Sequence, residues 1–395
     1  MKHTNVQQVR PPSAAELGTA AVTTSANWVD SPYNRHGFLH VRELTNTARV
    51  PAGTSEWKLP EALIDPAELG DLVSVLEGTY TDSCVVLHRG KLVYEYYDVG
   101  VRPSDRHILM SVSKSLTATL IGSLVDEGLL SVDQDVTDFV PDLAQWRGCT
   151  VQHLLDMRGG IAFDEHDMDD LDSPGVLIEQ VSGYTTHRRD DIPHDTATWI
   201  RQLPAVAPHG THFEYRSILT AMLGWIAEVV TGQSFAEAFS ARIWTPLGAE
   251  SDADLIVDSK GYPVVEGGFC TTTRDLARFG QMILQRGEAD GRRVVSSGWV
   301  DRTLEADPVL VDDYRRSHSA DPRFPEAYYH DCWWVHDASL GRYSGLGLGG
   351  QILWIDRSSE TVVAKFSSTP KRVDPRLVGH AQMGFVRLCE LLSSR

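Results

Sequence analysis

Features that would cross-link this chain or anchor it to something larger are scarce. It has five cysteines (Cys84, Cys149, Cys270, Cys332 and Cys389), an odd number, widely scattered and without a Cys-x-x-Cys pair. That usage excludes a disulfide framework or a cysteine zinc site as the organising element. No run is apolar for long enough to span a bilayer. Residues 1–12 carry positive charge with no apolar segment behind it, so they do not read as a secretory signal, and a cytoplasmic location is expected. Positive charge is short: 36 Lys+Arg against 54 Asp+Glu give a net charge of −18. This argues against nucleic acid or an anionic membrane as partner. A Gly-x-Ser-x-Gly elbow, a His-Glu-x-x-His pair and a phosphate loop are all missing, which removes several rival hydrolase and nucleotide-binding readings.

What is present describes an ordinary globular protein, with 42% hydrophobic and 23% charged residues. A length of 395 residues predicts two lobes rather than one small core. Residues 1–60, rich in Pro, Ala, Thr and Ser, read as an irregular arm anchored by Trp28, Tyr33 and Phe38. Residues 84–88 and 92–97 read as strands joined by a short Arg89-Gly90-Lys91 turn. Helical patterning dominates residues 195–250, and residues 275–285 repeat it. Strands return at 332–335, 352–355 and 361–366, before a last helix near 376–392. Strands at both ends around a helical middle predict an α/β (α+β) architecture. One α/β lobe would be built from residues 61–140 and 255–395, with a mainly helical lobe, 141–254, inserted.

The chemistry centres on Ser111-Val112-Ser113-Lys114, which opens an apolar helical run with Leu116, Leu120 and Leu124 on one stripe. Serine and lysine three residues apart share a helix face, so the amine can take the hydroxyl's proton. The same letters occur at Ser55-Glu56-Trp57-Lys58, but Leu59-Pro60 follows and opposes a helix, so that copy is read as coincidence. An ordinary N-cap serine with a solvated lysine is the competing reading of the Ser111 copy.

Two further segments supply the other parts of an acyl-transfer site. Tyr215 lies just before an apolar helical run, where a neighbouring lysine would lower its pKa and let it shuttle a proton; a packing tyrosine is the alternative. Gly345-Leu346-Gly347-Leu348-Gly349-Gly350 contains Gly-x-Gly-x-x-Gly but leads into a strand, not a helix, so it is not a dinucleotide fingerprint. Glycines ahead of a strand let backbone approach a ligand, as an oxyanion donor on an edge strand must. The acidic run at 164–172 lacks the glycine and terminal glutamate of a calcium loop and reads as a solvated loop. No metal or cofactor is expected.

These segments resemble the serine β-lactamase-related family, which includes class C β-lactamases, DD-peptidases and family VIII esterases, and within it the nylon-oligomer hydrolases. The resemblance rests on Leu109-Met110-Ser111-Val112-Ser113-Lys114-Ser115, Val125-Asp126-Glu127-Gly128, Thr150-Val151-Gln152-His153-Leu154-Leu155, Glu266-Gly267-Gly268 and Gly349-Gly350-Gln351. It implies a β-lactamase/DD-peptidase-like fold, with an antiparallel sheet flanked by helices, Ser111 as nucleophile, Lys114 as its base, Tyr215 as proton carrier, and backbone N–H groups of Ser111 and Leu348 as oxyanion hole. Ser217 replaces the asparagine of the family's Tyr-x-Asn motif, and Gly345-Leu346-Gly347 replaces Lys-Thr-Gly. The lost lysine weakens any reading as a β-lactamase. Asp170, Glu179, Ser217, Glu266 and Gly347 match substrate-binding positions. The implied substrate is a small ester or linear amide, with an amine-bearing one favoured by Glu179 and Glu266. A second copy of the chain is an open partner. A β-lactamase or peptidase, and a catalytically inactive binding relative, stand as alternatives.

Overall fold

The computed structural model describes residues 22–395 except 169 and 306; the first third of the expected arm lies outside them. Within the rest of the arm, Asn34–Gly37 and Val41–Leu44 are short helices. The described strands are β1 (Thr47–Val50), β2 (Thr81–His88), β3 (Lys91–Tyr97), β4 (His107–Ile108), β5 (Ala253–Ile256), β6 (Phe269–Thr271), the small hairpin β7 (Glu288–Ala289) and β8 (Arg292–Arg293), β9 (Tyr328–His330), β10 (Trp333–Asp337), β11 (Arg342–Gly347), β12 (Gln351–Asp356) and β13 (Thr361–Ser367).

Arg89 and Gly90 both have positive φ (50° and 73°), the conformation of a two-residue type I′ turn, and it joins β2 to β3. The main sheet is antiparallel in the order β3-β2-β13-β12-β11-β10-β9. Every residue of β2, β12 and β13 is buried, which explains their unbroken apolar runs. Helix Thr273–Leu284 covers one face. Its Gly280 comes so close that an added Cβ would lie 2.6 Å from Val362 and 2.8 Å from Leu353. Helix Pro375–Ser393 covers the other face, with Phe385 against Trp354. Leu353 and Trp354 are successive residues, so they point to opposite faces. A smaller antiparallel sheet runs β1-β5-β6-β4.

Helices fill the chain between β4 and β5. Helix Ser113–Asp126 is buried on every side from Ser113 to Leu124, a wider surface than the predicted leucine stripe. It packs against helix Ser217–Thr231, which ends at the left-handed Gly232 (φ 64°). No single helix among the described residues is long and apolar enough to cross a membrane. Helices Ser217–Thr231 and Phe235–Leu247 pass such a test only jointly, and they turn through 79°.

Candidate active site

Ser111 sits in a single 3-10 turn, Met110–Val112, that runs into helix Ser113–Asp126. Met110, directly before it, has φ +47°, an uncommon conformation for a residue with a Cβ. The turn presents Ser111 to a cavity while the rest of the helix is buried. Lys114 is 1% exposed, and its Nζ donates to Ser111 Oγ at 2.9 Å and to the Glu266 carbonyl oxygen at 2.9 Å. The second bond aims the amine. By contrast, Lys58 of the decoy motif is exposed and pairs with Glu56.

Tyr215 lies across the same pair. Lys114 Nζ is 5.0 Å from its ring centroid, and its hydroxyl interacts with both Ser111 and Lys114. The ring stacks on Trp334 at 5.4 Å and meets Tyr329 edge-on at 5.8 Å. The sequence expectation of a lowered tyrosine pKa is corrected. Burial pushes the phenol up, Lys114 pulls it down, Glu165 pushes it up again, and the net is upward. For Lys114, burial disfavours the charge, but the Tyr215 hydroxyl and Glu165 outweigh it, and the ammonium is held above its ordinary range. The resting pair is therefore a neutral phenol beside a cation.

The glycine run contributes close backbone. An added Cβ at Gly347 would lie 2.6 Å from Leu109 O and 2.9 Å from Met110 Cβ; at Gly345 it would lie 3.2 Å from Ser115 Oγ and Val112 Cγ1. The run was expected to belong to an edge strand. β11 is instead interior, between β12 and β10, but β10 pairs only as far as Ser344, so residues 345–347 overhang it. Leu348 follows, its carbonyl fixed by Gln351 Nε2 at 3.0 Å. Neither the Ser111 nor the Leu348 backbone N–H bonds to another described residue.

The cavity has a volume of 510 Å³ and a mainly apolar wall that includes Phe38, Met110, Ile178, Trp334 and Leu346. Glu179, Ser217, Glu266, Gly347 and Leu348 also line it. Asp170 does not. It is exposed, and its carboxylate accepts from Asp172 N at 3.0 Å in a local turn that faces solvent. Glu179 is present but not free: Arg372 donates to it from Nη1 at 2.5 Å and to Asp30 from Nη2 at 2.7 Å. Ser217 gives both its N–H (2.8 Å) and its hydroxyl (3.1 Å) to Glu165. Glu266 is 6% exposed, its Oε2 has no partner among the described residues, and burial pushes its carboxyl up to about 7. Sequence reasoning missed Glu165, Trp334 and Arg372 as cavity residues.

The comparisons fit this geometry. The Beta-lactamase family model matches residues 77–385. A curated relative, the 6-aminohexanoate-dimer hydrolase of Paenarthrobacter ureafaciens, is 39% identical over 379 residues, which is 93% of each chain. A solved Bacillus anthracis structure, described provisionally as a 6-aminohexanoate-dimer hydrolase, superposes with a TM-score of 0.85 at 26% identity, covering 98% of this chain and 99% of that one. A D-stereospecific amidohydrolase from Streptomyces sp. shares the fold, with a TM-score of 0.58 at 19% identity over 80% of this chain and 98% of that one. With its family matched across most of its length and its fold shared end to end, the chain belongs to the beta-lactamase family and is a serine hydrolase.

Proposed function

We propose that the chain hydrolyses small esters and linear amides through an acyl-enzyme on Ser111, with a preference for substrates that carry a protonated amine. The observation that carries this reading is the Lys114 Nζ held 2.9 Å from Ser111 Oγ by the Glu266 carbonyl, with Tyr215 against both. In the resting state Lys114 is a cation, so the competent form has one proton fewer on the Lys114–Tyr215 pair. Ser111 Oγ loses its proton to that pair as it attacks the carbonyl carbon. The backbone N–H groups of Ser111 and Leu348 receive the oxyanion. Tyr215 gives the proton to the leaving alkoxide or amine. Water then attacks the acyl-enzyme, its proton passes to the pair, and Ser111 is released.

The substrate class follows from the wall and its charges. An apolar cavity of 510 Å³ suits short aliphatic or aryl arms. Arg372 neutralises Glu179, and among the described residues Glu266 Oε2 is left as a buried carboxyl oxygen on the wall without a partner. An ammonium group would supply its missing partner. The 6-aminohexanoate dimer named for the curated relative is a linear amide with such an amine. Five buried, unpaired cysteines support a reducing, cytoplasmic setting.

The test is turnover of p-nitrophenyl esters and of matched linear amides. Ser111→Ala should abolish it, and a fluorophosphonate probe should label Ser111 only in the parent protein. Unchanged turnover in that variant would sink the mechanism; nitrocefin as the only substrate turned over would favour a β-lactamase. For ω-amino esters, KM should fall as pH rises through about 7, where Glu266 ionises. Glu266→Gln should flatten that dependence and leave neutral esters less affected.

A further inference from the structure

The acidic run at 164–172 looks like a solvated loop, yet one of its members turns inward. Glu165 reaches the start of helix Ser217–Thr231, where Oε2 accepts the Ser217 N–H at 2.8 Å and Oε1 accepts the Ser217 hydroxyl at 3.1 Å. The helix start is a favourable place for an anion, because its first N–H groups have no partner within the helix. The backbone around Glu165 is fixed from behind. Gly175 N donates to Asp164 O at 3.0 Å, and a Cβ at Gly175 would fall 2.5 Å from Glu165 Cβ, so only glycine fits there. Two residues before Ser217 stands Tyr215. Between them, Arg216 is 8% exposed and binds Phe163 O at 2.9 Å and Gly159 O at 2.7 Å. The segment carrying Tyr215 is thus laced to the 159–165 loop at two successive residues.

We propose that Glu165 is a positioning residue for the reaction: its carboxylate clamps Ser217, so that Tyr215 is held against Ser111 and Lys114. This rests on the Ser111 acyl-enzyme reading above. The charged and titratable groups around Glu165 are Lys114 from helix Ser113–Asp126, Tyr215, Glu266 and its own neighbour His166. His166 in turn faces Glu214 at 3.5 Å and His318, and Arg216 pairs with Glu214. Burial pushes the Glu165 carboxyl up, and Lys114 is the largest influence that holds it down. An anion there favours the proton on both Lys114 and Tyr215, so it holds the pair in its resting form.

The experiment measures kcat/KM for p-nitrophenyl acetate from pH 6 to 10 in the parent, Glu165→Gln and Glu165→Ala proteins, with thermal melts and fluorophosphonate labelling of each. Glutamine keeps an acceptor for Ser217 and loses the charge. The rising limb of its profile should move to lower pH by about one unit. Alanine also loses the clamp, and its kcat should drop about tenfold, with KM changing less; Glu165→Gln should restore most of that loss. A folded Glu165→Ala with parental kcat, or a Glu165→Gln that restores none of the kcat lost by Glu165→Ala, would overturn the proposal. If Glu165→Ala fails to fold, Ser217→Ala removes half the clamp and is held to the same kcat criterion. An unlabelled parent Ser111 would remove the acyl-enzyme reading itself, and this proposal with it. A labelled parent with a folded Glu165→Ala at parental kcat removes this proposal alone.

Discussion

Gly347 offers the sharpest test of the oxyanion arrangement, because its absent side chain is required by contact and not by backbone angle. Its φ and ψ are −136° and 153°, extended values open to any residue. An alanine there loses nothing in conformational terms, but its Cβ would sit 2.6 Å from Leu109 O and 2.9 Å from Met110 Cβ. Carbon atoms pack best at about 3.5 Å, so β11 or the Ser111 turn has to retreat by about 0.6 Å. Overpacking of this kind costs about 1–3 kcal/mol of stability. The functional cost is larger, because Leu348 is the next residue. Moving its N–H back by that distance stretches a hydrogen bond of about 2.9 Å to about 3.5 Å, the edge of what counts as one. Losing one oxyanion donor costs about 10²–10³ in kcat. Gly347→Ala should therefore keep a cooperative melt, keep fluorophosphonate reactivity at a reduced rate, and lose kcat on p-nitrophenyl acetate by that factor with little change in KM. Gly345→Ala is the control: its Cβ meets atoms no closer than 3.2 Å, and its kcat should fall severalfold less. A folded Gly347→Ala protein with kcat within about threefold of the parent would refute the placement of the oxyanion donor at Leu348.

The pH–rate profile carries a second expectation. Lys114 and Tyr215 both hold their proton above their ordinary ranges. Ester turnover should therefore climb about tenfold per pH unit through the neutral region and level off only on the alkaline side, and a profile flat from pH 6 to 9 would contradict it. Trp334→Ala should also reduce kcat, since the stack that fixes the Tyr215 ring is worth about 0.5–1.5 kcal/mol beyond the area it buries; kcat and pH profile both matching the parent would show that the ring needs no such wall.

The parts of this protein that could be read from its letters are those set by local rules. Ser111 and Lys114 are one helical turn apart, and the chain alone dictates that they meet. The turn at Arg89-Gly90 and the apolar runs of β2, β12 and β13 are equally local. The glycine run was expected to serve an edge strand, but the strand over Arg342–Gly347 is not legible in its letters, because Arg342-Tyr343-Ser344-Gly345-Leu346-Gly347 has little strand character of its own. It is a strand because β12 pairs with it at every residue from Arg342 to Gly347. Glu179 matched a substrate-binding position, and nothing near it in sequence reveals that Arg372, 193 residues away, neutralises it.

Charge in the cavity follows the same division. By composition the acids of the 164–172 run are interchangeable, and a solvated loop is the sound reading of six of them in nine residues. Which of them turns inward is decided elsewhere, by a glycine at 175 that admits the Glu165 backbone and by a helix that begins at Ser217 with an N–H to give. Asp170 faces solvent for want of either. The choice of substrate therefore shifts from the loop letters to two carboxyls that line the cavity, with different fates. Glu165 already has two donors and so serves the machinery. Glu266 has an oxygen with no donor among the described residues, so it is the one whose hydrogen-bonding deficit an arriving ammonium can make good.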